Sequence, residues 1–346
     1  IRMNRHKLVT ITLPVNVILI AAQVASAEDI GIVDLYSNSD SADVTLRPGA
    51  HHTNITVDAD LILEEEVLRR EQFKIDETLP DTDITKVVSW DLKSPEDGCY
   101  ITRVTFSMDG SVLETRYRNF SYGTPALPRV YIEDIIPDSR GVSVIISPYR
   151  TMYGTQAVLT DVEYMLVDGD TVIYRTTDQR VDVVQATPLS KDWTVRLLNN
   201  HQYSTRVKIR IPSVKSRDTV IARSVDFTAE EDARITELYR DETGASVTVL
   251  GLSQVPFTGE IVFTVSKDGE TIEEIRERSP ILMSEDDETI EVIWKSRLPA
   301  GTYELSVKVV GNDGDLVDRW DTVIEAEESR YVNVSQAPTP KKTPGF

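Results

Sequence analysis

The chain has 346 residues, of which 40% are hydrophobic and 27% charged, a balance suited to two or three folded domains. A formal net charge of −20 makes nucleic acid and anionic membrane surfaces poor partners, because the long-range field repels them. The single cysteine, Cys99, excludes an intramolecular disulfide and a cysteine metal cluster. Of four histidines only His51 and His52 are adjacent, and neighbours on a strand point to opposite faces, so a histidine-built zinc site lacks its ligands.

From Met3 the chain reads Arg5, Lys7, an apolar run over 8–24, and then Ala25-Ser26-Ala27. A basic start, a short apolar core and an Ala-x-Ala site predict a secretory signal peptide over 1–27. Pro14, Asn16 and Gln23 interrupt the run and argue against a membrane span.

Self-similarity then governs the reading. Each unit opens with a matching strand, at 32–36, 132–136 and 235–239, followed after a polar turn by a second, at 42–46, 142–146 and 245–249. Alternating β-branched residues bounded by Gly, Asp and Ser are strand and turn signals. A hairpin follows, with Asp168-Gly169 in the second unit and Lys267-Asp268-Gly269 in the third, where Asp-Gly favours a type I′ turn. The first unit has Glu64-Glu65-Glu66 there, which predicts a longer or differently shaped turn, with a short helix over 64–72 as the alternative. The most distinctive stretch comes next, running from Trp90 to Tyr100, from Trp193 to Tyr203 and from Trp294 to Tyr303, its copies about a hundred residues apart. Met108-Asp109-Gly110 and Asn312-Asp313-Gly314 supply a last hairpin turn in units one and three, and 213–218 replaces it in unit two. About seven short strands per hundred residues predict an all-β chain of three tandem antiparallel β-sandwich domains, at 28–124, 129–229 and 232–328. The short joints at 123–128 and 229–232 predict an elongated rod.

Residues 329–346 form a Pro/Thr-rich stalk ending in Pro344-Gly345-Phe346. Asn-x-Ser/Thr sequons at Asn54, Asn119 and Asn333 are candidate glycosylation sites.

The Leu298-x-x-Gly301-x-Tyr303 segment resembles the tyrosine corner of fibronectin type III and related immunoglobulin-like domains. Leu198 and Tyr203, and Leu92, Gly98 and Tyr100, are the matching residues, and Asn199-Asn200 stands where the second unit lacks the glycine. The final tripeptide after a Thr/Pro-rich segment resembles the archaeal PGF-type sorting signal, in which a following helix is removed as a lipid anchor is attached. The layout therefore resembles multidomain archaeal cell-surface proteins. That resemblance implies a secreted, anchored protein facing other surface proteins or glycans, with a membrane anchor supplied by a segment after Phe346. It implies no reaction.

Trp90, Trp193 and Trp294 hold one repeat position, so core packing is their expected role, whereas Trp320 breaks the repeat and is a contact candidate if exposed. Glu285-Asp286-Asp287-Glu288 and Asn312-Asp313-Gly314-Asp315 are acidic stretches that calcium would suit, with a solvated loop and a plain hairpin as the simpler readings. No nucleophile elbow, phosphate-binding loop or metalloprotease helix is present, and Cys99 has no histidine close in sequence. The expectation is a non-enzymatic structural or adhesive protein without cofactor. The alternatives are a glycan- or divalent-cation-binding module and an accessory region of an extracellular enzyme.

Overall fold

The computed structural model describes residues 30–90, 92, 94–123, 129–149, 157–213 and 218–327. The leader, most of the first joint and the tail with Asn333 and Pro344-Gly345-Phe346 lie outside the described residues.

The protein is all-β, its strands pairing antiparallel, with no helix among the described residues. One seven-strand pattern occurs three times. In the first unit β1 (Ile30–Ser37), β2 (Ser41–Pro48) and β5 (Ile84–Ser89) face β3 (His52–Leu63), β4 (Glu66–Thr78), β6 (Gly98–Met108) and β7 (Ser111–Tyr122), in the order β4-β3-β6-β7. In the second, β8 (Val130–Pro137), β9 (Gly141–Pro148) and β12 (Thr187–Asp192) face β10 (Val158–Asp168), β11 (Thr171–Val183), β13 (His201–Ile211) and β14 (Thr219–Ala229). In the third, β15 (Ala233–Arg240), β16 (Gly244–Gly251) and β19 (Asp287–Ile293) face β17 (Glu260–Lys267), β18 (Glu270–Arg278), β20 (Gly301–Val310) and β21 (Leu316–Ala326). Period-two alternation drives each sandwich: Ala42, Val44 and Leu46 on β2 meet Ile55, Val57, Ala59 and Leu61 on β3 in one core. The equivalent strands build two further cores.

The opening strands share a bulge, at Ile32/Asp34, Ile132/Asp134 and Ile235/Glu237. In the first and third units the freed N–H of the bulge isoleucine donates to a carboxylate on the last strand: Ile32 to Glu114 at 3.0 Å and Ile235 to Asp318 at 2.8 Å. The bulge thereby ties the edge strand across to the opposite sheet.

Four expectations need correction. Between β3 and β4 the chain turns in two residues, Glu64 and Glu65, both left-handed at φ 48° and 73°, so there is neither a longer turn nor a helix over 64–72. Strand pairing on both sides fixes the length, and the glutamates accept the strain. In the second unit the turn residues are Gly169-Asp170, because Asp168 still pairs with Thr171, and of these only Gly169 is left-handed. Leu198 is 58% exposed, whereas Leu197 is fully buried. The second corner carries one extra residue before its tyrosine, so the core position falls on Leu197. Finally, the first two units do not follow one another end to end. The outward side of β2 lies on the outward side of β13 and β14, so the expected rod is folded back on itself there.

Candidate functional site

The repeated Trp-to-Tyr stretch is scaffold throughout. Trp90, Trp193 and Trp294 are all buried, and each backbone N–H donates to the turn after the opening strand, at Asp40, Arg140 and Thr243, over 2.8–2.9 Å. The indoles of Trp193 and Trp294 also donate to the carbonyls of Asp138 and Asp241. The hydroxyls of Tyr100 and Tyr303 donate to Glu96 and Pro299, four residues upstream, at 2.8 and 2.9 Å. Tyr203 differs: its hydroxyl accepts from the Leu198 N–H, and Asn200 takes the left-handed position at φ 56°. Asn54 and Asn119 are exposed on β3 and β7, Asn54 with a left-handed backbone. Cys99 is exposed and Trp320 is 41% exposed. In the acidic stretch before β19, Asp286 accepts from the Met283 N–H while Glu285 reaches Arg140 of the second unit, so its carboxylates are directed apart.

The chemistry concentrates instead at the joints. Strand β2 is buried on both sides, with Ser41, Asp43 and Thr45 facing away from their own core. Strand β13 mirrors it, with Arg206 and Lys208 outward while Tyr203, Val207 and Ile209 serve the second core. Arg206 is 0% exposed and Asp43 1%. The guanidinium forks onto Asp43 Oδ2 from Nε (3.0 Å) and Nη2 (2.8 Å), and its Nη1 donates to Ser41 and Ser224. Lys208 Nζ bridges Asp43 Oδ1 at 2.6 Å and Asp34 Oδ2 at 2.8 Å. Tyr36 lays its ring 5.4 Å from Lys208 Nζ, and Asn38 donates to the Ala222 carbonyl. Burial alone would raise the Asp34 carboxyl, but Lys208 and Arg210 hold it below its ordinary value. At the rim Lys86 meets Asp170 at 2.7 Å, beside a backbone bond from Val87 N–H to the Asp170 carbonyl.

The second joint is apolar at its centre. Val255, from the loop after β16 of the third unit, is 1% exposed and belongs to the core of the second. Backbone bonds fix it: Leu197 N–H to Gln254 carbonyl and Gln254 N–H to Ser139 carbonyl, both 2.9 Å. Beside it, Glu231, Asp313 and Asp315 place carboxylate oxygens within 4.8 Å of one another. Glu231 also accepts from the Asn312 N–H and amide, both at 2.5 Å. Burial, then the charges of Asp313 and Asp315, push Glu231 up; Asp315 is raised by its hydrogen bond to Asp313, which is itself lowered by that bond. Three carboxylates this close repel, and a proton or a cation relieves them.

Residues such as Asp43, Arg206, Lys208 and Val255 escaped the sequence reading because polar residues alternating with apolar ones look the same whether they face water or another sheet. The one signal was repeat comparison: Asp43 stands where the other units have Ser143 and Ser246.

No protein-family model matches the chain, and no curated protein matches it. Among solved structures it is similar to a tetra-tandem repeat in the extending region of a large adhesion protein, with TM-score 0.26, 9% identity, and coverage of 86% of this chain and 73% of that one. It is also similar to the native conformation of E. coli alpha-2-macroglobulin, with TM-score 0.23 and 10% identity over 85% of this chain and 22% of that one. The chain thus spans less than a quarter of the macroglobulin's length, and likeness at these values carries nothing about activity.

Proposed function

We propose that the chain is a non-enzymatic structural or adhesive protein of the cell surface, which holds β-sandwich units in a fixed mutual arrangement and presents their loops to other surface proteins or glycans. The observation that carries this reading is the way both joints are built. A buried Asp43–Arg206–Lys208 network fixes the first, and Val255 inserted into a neighbouring core fixes the second. A chain that spends buried charge and core volume on its joints is organised around geometry between units. The leader and tail expected from the sequence supply the surface address. The display is shorter and broader than a rod, because the first unit lies back against the second.

Small-angle scattering from residues 30–327 tests the arrangement. One fixed disposition should reproduce the whole curve at moderate salt, and a curve that requires a broad ensemble of unit orientations overturns the reading. The alternative, a ligand-binding module, has the exposed Trp320 and the Glu231–Asp313–Asp315 trio in its favour. A melting curve that is identical in calcium and in chelator removes its cation form.

A further inference from the structure

The two joints are of different physical kinds. The second and third units share core volume through Val255, whereas the buried core of the first unit is assembled wholly from residues 30–106 and that of the second takes nothing from them. What crosses between the first two units is chiefly polar or ionic. The apolar part is the Tyr36 ring with Met165, Val167 and Ala222, which are buried on the outward side of the second unit's sheet without belonging to its core. At the centre of the contact the first unit carries Asp34 and Asp43 and the second carries Arg206, Lys208 and Arg210, with Glu163 beside Lys208. At the rim the sense reverses, Lys86 of the first unit meeting Asp170 of the second. Opposite faces of opposite charge align and attract. Yet burying ion pairs costs desolvation that largely cancels their mutual attraction, which leaves the hydrophobic term to the few apolar side chains at the joint, Tyr36, Met165, Val167 and Ala222.

Separation, moreover, would leave both surfaces mostly polar, with Met165 and Val167 on β10 the apolar exceptions. On β2 it would uncover Ser41, Asp43 and Thr45, and on β13 Ser204, Arg206 and Lys208. A permanent contact has no need of two faces that can each stand alone in water. The Val255 contact, by comparison, would open a hole in a core if it parted.

We propose that Asp43 and Asp34 with Arg206 and Lys208 form a separable ionic latch, which docks the first unit on the second and releases it as a folded unit when the charges are screened or the chain is loaded. The latch rests on the display reading above and adds to it a second, longer state. Release lengthens the display, parts the short β5–β11 pairing at Lys86 and Thr171, and bares two charged faces while each sandwich keeps its own strands.

The test is single-molecule distance measurement on the full chain, with dyes on Val112→Cys and Leu198→Cys in a Cys99→Ser background. Val112 and Leu198 are exposed and belong to the first and second units. At low salt one short distance is expected. At about 1 M salt, where screening acts over only about 3 Å, a longer population should appear. Asp43→Asn should shift the docking equilibrium toward it by about a hundredfold or more at every salt, because Arg206 loses its charged partner. Asp34→Asn, at the edge of the network, should shift it less, and the circular dichroism spectrum should be unchanged in both variants. A narrow short distance at every salt and in both variants overturns the latch alone. A broad wild-type distribution at every salt overturns the latch and the fixed display together. Loss of the folded spectrum in both variants makes the network part of the fold, and also overturns the latch.

Discussion

At the scale of single residues, two carboxylates at the joints bend stability in opposite directions as pH falls. Asp34 is held below its ordinary value by Lys208 and Arg210 once their attraction has outweighed burial, so the folded chain binds fewer protons there than the unfolded one. Its contribution is complete above the unfolded value near about 3.9 and is lost as pH falls through the lower folded value. Glu231 is raised, by burial first and then by Asp313 and Asp315, so the folded chain binds more protons. Its penalty is complete above the raised folded value and disappears as pH falls below the unfolded value near about 4.3. Melting temperatures recorded between about pH 3 and 7 should therefore separate the two. Asp34→Asn lowers stability at neutral pH and flattens the acid decline, whereas Glu231→Gln raises stability at neutral pH and steepens that decline. Shifts of the same sign in both variants would contradict the assignment.

At the scale of elements, the β3–β4 turn shows a local sequence overruled by strand pairing. Glu64 and Glu65 sit left-handed in a two-residue connection, a conformation that costs a side-chain-bearing residue roughly 1–2 kcal/mol. Glycine adopts it without that penalty but has more unfolded-state entropy to lose. Glu65→Gly is therefore expected to stabilise the first unit by about 1 kcal/mol in chemical denaturation. No gain would mean that the turn is not strained. The sequence disclosed less here because its two-residue length depends on where β4 pairs with β3, which no local signal states. Elsewhere local chemistry was enough. Asp109-Gly110 and Asp268-Gly269 turn with both residues left-handed, as Asp-Gly between alternating strands demands. The inward sides of the strands were equally plain, since Val44 and Leu46, or Val247 and Val249, recur with period two. The outward sides were not. Asp43 in β2 and Lys208 in β13 read as ordinary solvated residues, and their burial follows from how one unit lies on the next. Of the carboxylate trio, Asp313 and Asp315 were visible as an acidic turn, but Glu231 comes from the joint before β15 and joins them only in three dimensions.

At the scale of the whole molecule, shared and unshared cores predict how the chain comes apart. Each unit has a core of its own, but Val255 of the third unit enters the core of the second and the Gln254 backbone bonds hold it there. These two are therefore expected to unfold together, whereas no residue of the first unit enters another core. Heating should then give two transitions. With unfolding enthalpy near about 0.7 kcal/mol per residue, the first unit should absorb about 65 kcal/mol and the joined pair about 140 kcal/mol. Val255→Asp places an unpaired charge in the second core while leaving the first untouched. Such a burial costs several kcal/mol, so the larger transition should move down by on the order of 10 °C or divide in two, with the smaller one in place. Raising salt should act on the other joint and leave the larger transition where it is, because an apolar insertion is not screened. Three transitions in the unsubstituted chain would show that Val255 does not couple its neighbours. A single transition would show that the ionic joint couples as strongly as the apolar one, and the contrast between them would fall.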